Sequence, residues 1–152
     1  MTDSAMTDSA TTDSALPAKA VIPHLNVEGA AEAIAFYGAA LGAQELSRLP
    51  SQDGKRLLHA DLLINGSHVF LHDDFPEHRF PGANFGAPPR IGGSSVTVHL
   101  RVESCDAWYE RAMKAGATSV MAPHDAFWGD RYGQVVDPFG HAWSFAHPLA
   151  KA

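Results

Sequence analysis

The chain has a single cysteine, Cys105, so no disulfide can close within it, and a lone thiol suits a reducing cytoplasm. Basic residues are scarce: 11 Lys and Arg stand against 17 Asp and Glu, a formal net charge of −6. Phosphate and anionic-lipid surfaces are held by clustered cations, so this balance argues against a nucleic-acid or membrane partner. No apolar run approaches the roughly 18 residues of a membrane-spanning helix. The first fifteen residues hold no Lys, no Arg and no apolar stretch, so neither a secretory signal nor a transit peptide is expected there. G-x-S-x-G, P-loop and C-x-x-C motifs are all absent, which removes hydrolase-elbow, nucleotide-binding and zinc-ribbon readings.

What is present is enough for one domain with a real core: 152 residues, 45% of them hydrophobic. Residues 1–15 are a short acidic repeat (MTDSA, MTDSA, TTDSA) with too little apolar surface to offset its ordering entropy. A disordered tail over residues 1–19 is therefore expected. From Ala20 onward the pattern gives a strand at Val21–Val27, with Pro23 pointing to a sheet edge or a bulge. A helix follows over Ala30–Leu41, stopped by Gly42. Strands at Gln44–Leu49, Leu57–Ile64 and Ser67–His72 are separated by the turn signals Asp53-Gly54 and Asn65-Gly66. Residues 75–94 are rich in Pro and Gly and read as a connection without an element of its own.

The pattern then restarts. Val96–Val102 is a strand, Cys105–Ala115 a helix ended by Gly116, and Ser119–Ala122, Gly133–Val136 and His141–Ala146 are strands. Val21-x-x-His24-Leu25-x-Val27-Glu28 matches Val96-x-x-His99-Leu100-x-Val102-Glu103 at an offset of 75 (99 − 24). The later strands can be matched by setting His68 against His141. Such self-similarity marks a duplication. The expected fold is α+β: two tandem βαβββ modules, about 20–74 and 95–148 around the linker 75–94, forming a curved mixed sheet. One helix per module covers one sheet face, which leaves the other faces to line a shared concave site.

Several residues are candidates for that site. The hairpin Ala126–His147 gathers Trp128, Arg131, Tyr132 and Gln134, a group suited to a small ligand, in which Trp128, Asp130, Arg131 and Tyr132 could form an aromatic and cationic wall for a planar or anionic ligand. The alternative is that Trp128 packs in the core and Asp130-Arg131 is a surface pair. His24 and His99 occupy matching strand positions and could form a proton-transfer pair or an offset metal site. They could equally be half-buried histidines bonded to the sheet. His72, Asp73, Asp74, Glu77 and His78 look like metal ligands by composition but match no standard spacing, so solvated loop charge is expected. Cys105 lies at a helix start, which can lower a thiol pKa, although capping or packing is the expected role.

Two βαβββ units, with Ala31-Glu-Ala-Ile-Ala-Phe-Tyr37 in the first helix and Phe127-Trp-Gly-Asp-Arg-Tyr-Gly133 and Asp137-Pro-Phe-Gly-His141 late in the second, resemble the vicinal oxygen chelate superfamily. The closer resemblance is to its PhnB-like, glyoxalase/bleomycin-resistance branch, and it covers about Ala20 to Pro148. The resemblance implies a homodimer with a small molecule bound in the sheet concavity. It implies either glyoxalase-like lyase or isomerase chemistry, with His24 and His99 as catalytic groups, or a binder that sequesters an antibiotic or metabolite. In metal-using members the ligands to a divalent ion project from the first and last strands of each half. Those places fall here on Ile22, Thr97, Ser144 and, through the His68/His141 matching, Leu71. None is His, Glu or Gln, so the metal-ligand set is not retained; Thr97 and Ser144 remain candidate ligand-binding residues.

Overall fold

The computed structural model describes residues 15–78 and 80–150. The tail expectation for residues 1–14 lies outside the described residues. Twelve-residue α1 (Ala30–Leu41) follows β1 (His24–Val27); β2 (Gln44–Pro50), β3 (Leu57–Ile64) and β4 (Ser67–Asp73) complete the first module. The second module runs β5 (Thr97–Arg101), α3 (Cys105–Ala115), β6 (Thr118–Asp125), β7 (Asp130–Val136) and β8 (Ala142–Pro148). Contrary to the featureless linker expected, residues 75–94 hold a 3₁₀ turn at Pro76–His78 and a four-residue helix, α2 (Pro88–Ile91). Pro88 opens α2, where a missing N–H costs nothing.

The strands form two mixed four-stranded sheets, ordered β1-β4-β3-β2 and β5-β8-β7-β6. In each the first strand lies parallel to the last, because the intervening helix carries the chain across one face. α1 forms where apolar residues recur at helical spacing: Ala30, Ala33, Ile34, Tyr37, Ala40 and Leu41 are buried. It stops at Gly42, whose φ of 65° suits a residue without Cβ. α1 packs against α3, and Arg111 of α3 donates from Nε to the Ala39 carbonyl at 2.9 Å.

The helix-covered faces of both sheets feed one core. Leu62, Ile64 and Leu71 come from the first module, and Val135, Trp143 and Phe145 from the second. Asp137 joins the two: its Oδ2 accepts from Tyr37 Oη of α1 and from Trp143 Nε1, and its Oδ1 accepts from the Phe139 and His141 amides. Burial, and then the Asp137 carboxylate, push the Tyr37 phenol well above its ordinary pKa. Gly140 sits at φ 92° in the same turn, and a Cβ there would fall 2.5 Å from Pro88 Cβ, so the linker rests directly on this turn.

Two hydrogen bonds cross the seam between the modules beside the edge strands β1 and β5. His141 Nε2 donates to the Asn26 carbonyl and Asn65 Nδ2 to the Arg101 carbonyl, each at 2.8 Å. Register corrects the matching of the later strands. His24 stands opposite Phe70 and His99 opposite Ser144, so Ser144 corresponds to Phe70. His68 therefore matches Ala142 rather than His141, and Leu71 points into the core, fully buried. A one-residue slip in a strand moves every side chain to the other face.

Asp73 and Asp74 are not solvated loop charges either. Only 4% and 6% exposed, they tie the linker and α1 to the sheet. Asp73 Oδ1 accepts from Gly29 and Ala30 N–H and Oδ2 from Leu57 N–H, while Asp74 Oδ2 accepts from Arg90 Nε at 2.7 Å. Glu77 does lie at the surface, paired with Arg56. Among the described residues no helix is long and apolar enough to cross a membrane.

Candidate functional site

Pairing places Thr97, His99, Ser144, Gln134 and Tyr132 on the face of the second sheet that α3 leaves open. His99 Nδ1 lies 2.7 Å from Ser144 Oγ, and Ser144 is 1% exposed, so the imidazole satisfies an otherwise buried hydroxyl. The His99 ring runs nearly parallel to Tyr132, at 19° with centroids 6.0 Å apart. Trp128 meets Tyr132 edge-on at 5.5 Å, Phe127 meets Trp128 at 5.1 Å, and His124 stands edge-on to Tyr132 at 6.2 Å. Tyr132 Oη donates to Gln134 Oε1 at 3.4 Å, and Trp128 Nε1 to Asp130 Oδ2 at 3.1 Å. The result is a continuous wall of rings with Ser144 and Gln134 beside it, ending in Trp128, which is 53% exposed. Exposed aromatic area of this kind, beside polar groups, is a feature that interaction surfaces share.

Arg131 does not share this wall. Alternation turns it to the α3 side, where Nε and Nη2 bond Asp106 and Nη1 bonds Asp125. Its guanidinium is held by two carboxylates, the Asp106 bond first among the causes that raise its pKa. The Asp106 carboxyl is lowered in return. The structure thus brings together Trp128, Tyr132, Gln134, Ser144, Thr97 and His99, and leaves Arg131 out.

His24 occupies the matching face of the first module, in different company. Its ring is edge-on to His72 at 4.9 Å, to His59 at 5.6 Å and to Phe70 at 5.6 Å, and His59 meets Phe70 at 4.6 Å. His72 Nδ1 is 2.7 Å from the Asp73 carbonyl, which only accepts, so Nδ1 carries the proton and Nε2 of the neutral ring keeps its lone pair. Partial burial, then His72 and His59, lower the His24 pKa. Sequence reasoning missed His59 and Phe70, read His72 only as loop charge, and missed His124. Alternation along β3 and β4 with the correct register would have found the first three. Among the described residues no ring contact or hydrogen bond joins His24 to His99.

A divalent ion is the group the resemblance implies, and the residues do not fit it. With the register corrected the four places are Ile22, Thr97, Phe70 and Ser144: two hydrocarbons and two neutral hydroxyls, one already bonded to His99. Elsewhere among the described residues no group of three or more His, Cys, Asp or Glu could hold a metal ion. Cys105 is buried, and its thiol donates to the Phe145 carbonyl at 3.2 Å. Burial first, and then Asp106, push it up to about 11, so its place at the start of α3 does not make it a nucleophile. A cavity of about 660 Å³ opens at the seam between the segment Ala15–Pro23, the start of β4 and the middle of β5, with His99 on its wall.

Residues 19–145 match the family model described as Glyoxalase/Bleomycin resistance protein/Dioxygenase superfamily. The chain belongs to this superfamily. It is 52% identical over 130 residues to an uncharacterised protein of Mycobacterium bovis, covering 86% of this chain and 84% of that one. Among solved structures it is similar to the product of an Arabidopsis thaliana gene, 30% identical with a TM-score of 0.64 over 84% of this chain and 98% of that one. TioX from Micromonospora sp. ML1 shares the fold, with a TM-score of 0.68 at 24% identity over 86% of this chain and 99% of that one. Membership agrees with the two βαβββ modules of the fold. It leaves the role of the ring wall to the residues themselves.

Proposed function

We propose that the chain binds a planar small molecule on the open face of the second module and holds it without covalent chemistry, as a sequestering protein. The observation that carries this reading is the ring series His99, Tyr132, Trp128, which ends in exposed aromatic surface with Ser144 and Gln134 at its side. Stacking on such a series is non-covalent and tolerant of ring type, which suits a binder. The donor set at the metal places supports it, because glyoxalase chemistry calls on a Lewis acid there. A thermal-shift screen of planar aromatic compounds, followed by calorimetric titration, tests the proposal. Trp128→Ala and Tyr132→Ala should each weaken binding roughly ten-fold with the fold intact. Unchanged affinity in both would end the reading.

The enzymatic reading, a lyase or isomerase, is favoured by one feature: a His99 that donates from Nδ1 to Ser144 Oγ would present Nε2 as a base. Under that reading His99→Ala abolishes turnover of a bound compound while leaving the protein folded. The PhnB-like branch, a cytoplasmic setting and a homodimer complete the proposal. Dimerisation is supported by the outer strands β2 and β6, which leave Leu46, Leu49, Val120 and Met121 exposed at sheet edges. Sedimentation velocity tests it.

A further inference from the structure

The seam between the modules is crossed by two hydrogen bonds, from Asn65 to the Arg101 carbonyl and from His141 to the Asn26 carbonyl. β1 and β5 belong to separate sheets, so no strand ladder fills the space beside them. The cavity there, about 660 Å³, falls within the usual range of roughly 300–1,000 Å³ for small-molecule sites. At about 30 Å³ per small group it holds on the order of twenty heavy atoms. Its lining is mostly hydrocarbon, from Leu16, Val21, Ile22, Ile64, Val98 and Leu100, and among the described residues no Lys, Arg, Asp or Glu lines it. Such walls cannot hold a charged group, and they reward an uncharged chain.

The polar groups on the lining narrow the choice further. His68 is engaged, with Nδ1 2.8 Å from Asp61 Oδ1 and Nε2 3.2 Å from the Ala15 carbonyl, which anchors the segment Ala15–Ala20 over the cavity. His99 is different, because it belongs both to this lining and to the ring wall. Meanwhile Val21 is 99% and Leu16 56% exposed, apolar surface left in water at the mouth. Residues 1–14 of the chain itself are a poor match for the cavity, since their composition is Met, Thr, Ser, Ala and the three carboxylates Asp3, Asp8 and Asp13.

We propose that the seam cavity takes the uncharged hydrocarbon chain of a ligand whose planar head lies on the ring wall. The ligand class is then an alkyl- or isoprenyl-substituted aromatic, turning at His99 from the wall into the cavity. This rests on the ring-wall reading given above. The segment Ala15–Ala20 acts as a strap over the chain, and the head alone meets Trp128, Tyr132 and Gln134.

The test is calorimetric titration of the full chain with 4-ethylphenol, 4-butylphenol and 4-octylphenol. Affinity should rise about four-fold per added methylene, the gain expected for each CH₂ that leaves water. Leu16→Asp and Val21→Asp, both at exposed positions, should lower the octyl-to-ethyl affinity ratio. Trp128→Ala should weaken all three ligands by a similar factor and keep that ratio. Affinity that is measurable for every phenol but flat with chain length overturns the cavity proposal and leaves the ring wall standing. Chain-length dependence that survives while Trp128→Ala changes nothing overturns the ring wall as head site. A ratio that collapses as protein concentration rises assigns the cavity to a second copy of the chain and overturns the proposal as well.

Discussion

At the end of β4 the Asp73 carboxylate accepts the Gly29 and Ala30 amides that open α1; at the end of β8, 74 positions later (147 − 73), His147 Nδ1 accepts the Cys105 amide that opens α3. The two modules solve one problem, the unpaired N–H groups of a helix start, at one place in the fold and with different groups. The turns before those strands differ more. β3 and β4 are joined by Asn65-Gly66, both at positive φ, as a tight hairpin requires. β7 and β8 are joined by the five residues 137–141, and the added length brings in Asp137. The open faces differ most: His24 against His59, His72 and Phe70 in one module, a wall of rings beside Ser144 in the other. The frame has kept its pseudo-symmetry where backbone groups must be satisfied and lost it where a side chain meets solvent or ligand.

The largest test of this contrast is at the unequal turns. Asp137→Ala removes the acceptor for Tyr37, Trp143, Phe139 and His141 in a site 4% exposed, and should cost about 3–5 kcal/mol in urea unfolding. Asn65→Ala, at the matching turn, loses one exposed bond to the Arg101 carbonyl and a favourable residue at φ 51°, and should cost about 1 kcal/mol. Equal losses would mean that Asp137 is no hub, and that the core shared by α1 and β8 holds without it.

Next in size is the pair of helix starts. Asp73 is buried and accepts three backbone amides, two of them at the positive end of α1. Asp73→Ala should therefore cost roughly 2–4 kcal/mol, since the lost bonds are charge-assisted. His147 accepts one amide as a neutral ring, and Ser104 already caps α3 by accepting from Ala107 N–H at 3.1 Å. His147→Ala should cost about 1 kcal/mol, again read from urea midpoints. The reverse order would show that α3 depends on His147 in spite of the Ser104 cap.

Much of this was legible in the residues, for reasons that particular elements show. The α1 and α3 boundaries follow from apolar spacing and from Gly42 and Gly116, local signals that tertiary context did not override. The duplication was visible because β1 and β5 retain the same His, Leu and Val positions. Pairing His68 with His141 failed because two like residues outweighed the turn lengths, and strand register is fixed by turns and ladders rather than by residue identity. Arg131 was misread as ligand-facing because hairpin residues were treated as one group, whereas alternation separates Arg131 from Tyr132. Asp73 looked like a loop charge since nothing in sequence shows that a helix 43 positions earlier (73 − 30) lacks a side-chain cap.

The smallest effect is in the first module's imidazoles, and it separates that face from the ring wall by pH. The His24 pKa lies below its ordinary value of 6.5, lowered by partial burial first and then by His72 and His59. As pH falls, the unfolded chain therefore takes up this proton before the folded chain does. The contribution of His24 to stability is complete above pH 6.5 and is lost as pH falls through the lower folded value. His24→Gln should accordingly flatten the acid side of the stability profile slightly, by less than either helix-start substitution changes the midpoint. His72→Gln sharpens the point, because it removes the neighbouring charge and leaves His24 in place. In that variant the His24 ring proton, followed by NMR, should titrate at a higher pH than in the parent. If it titrates at the same pH, burial and His59 set the shift, and His72 is a neighbour of His24 without being electrostatically coupled to it.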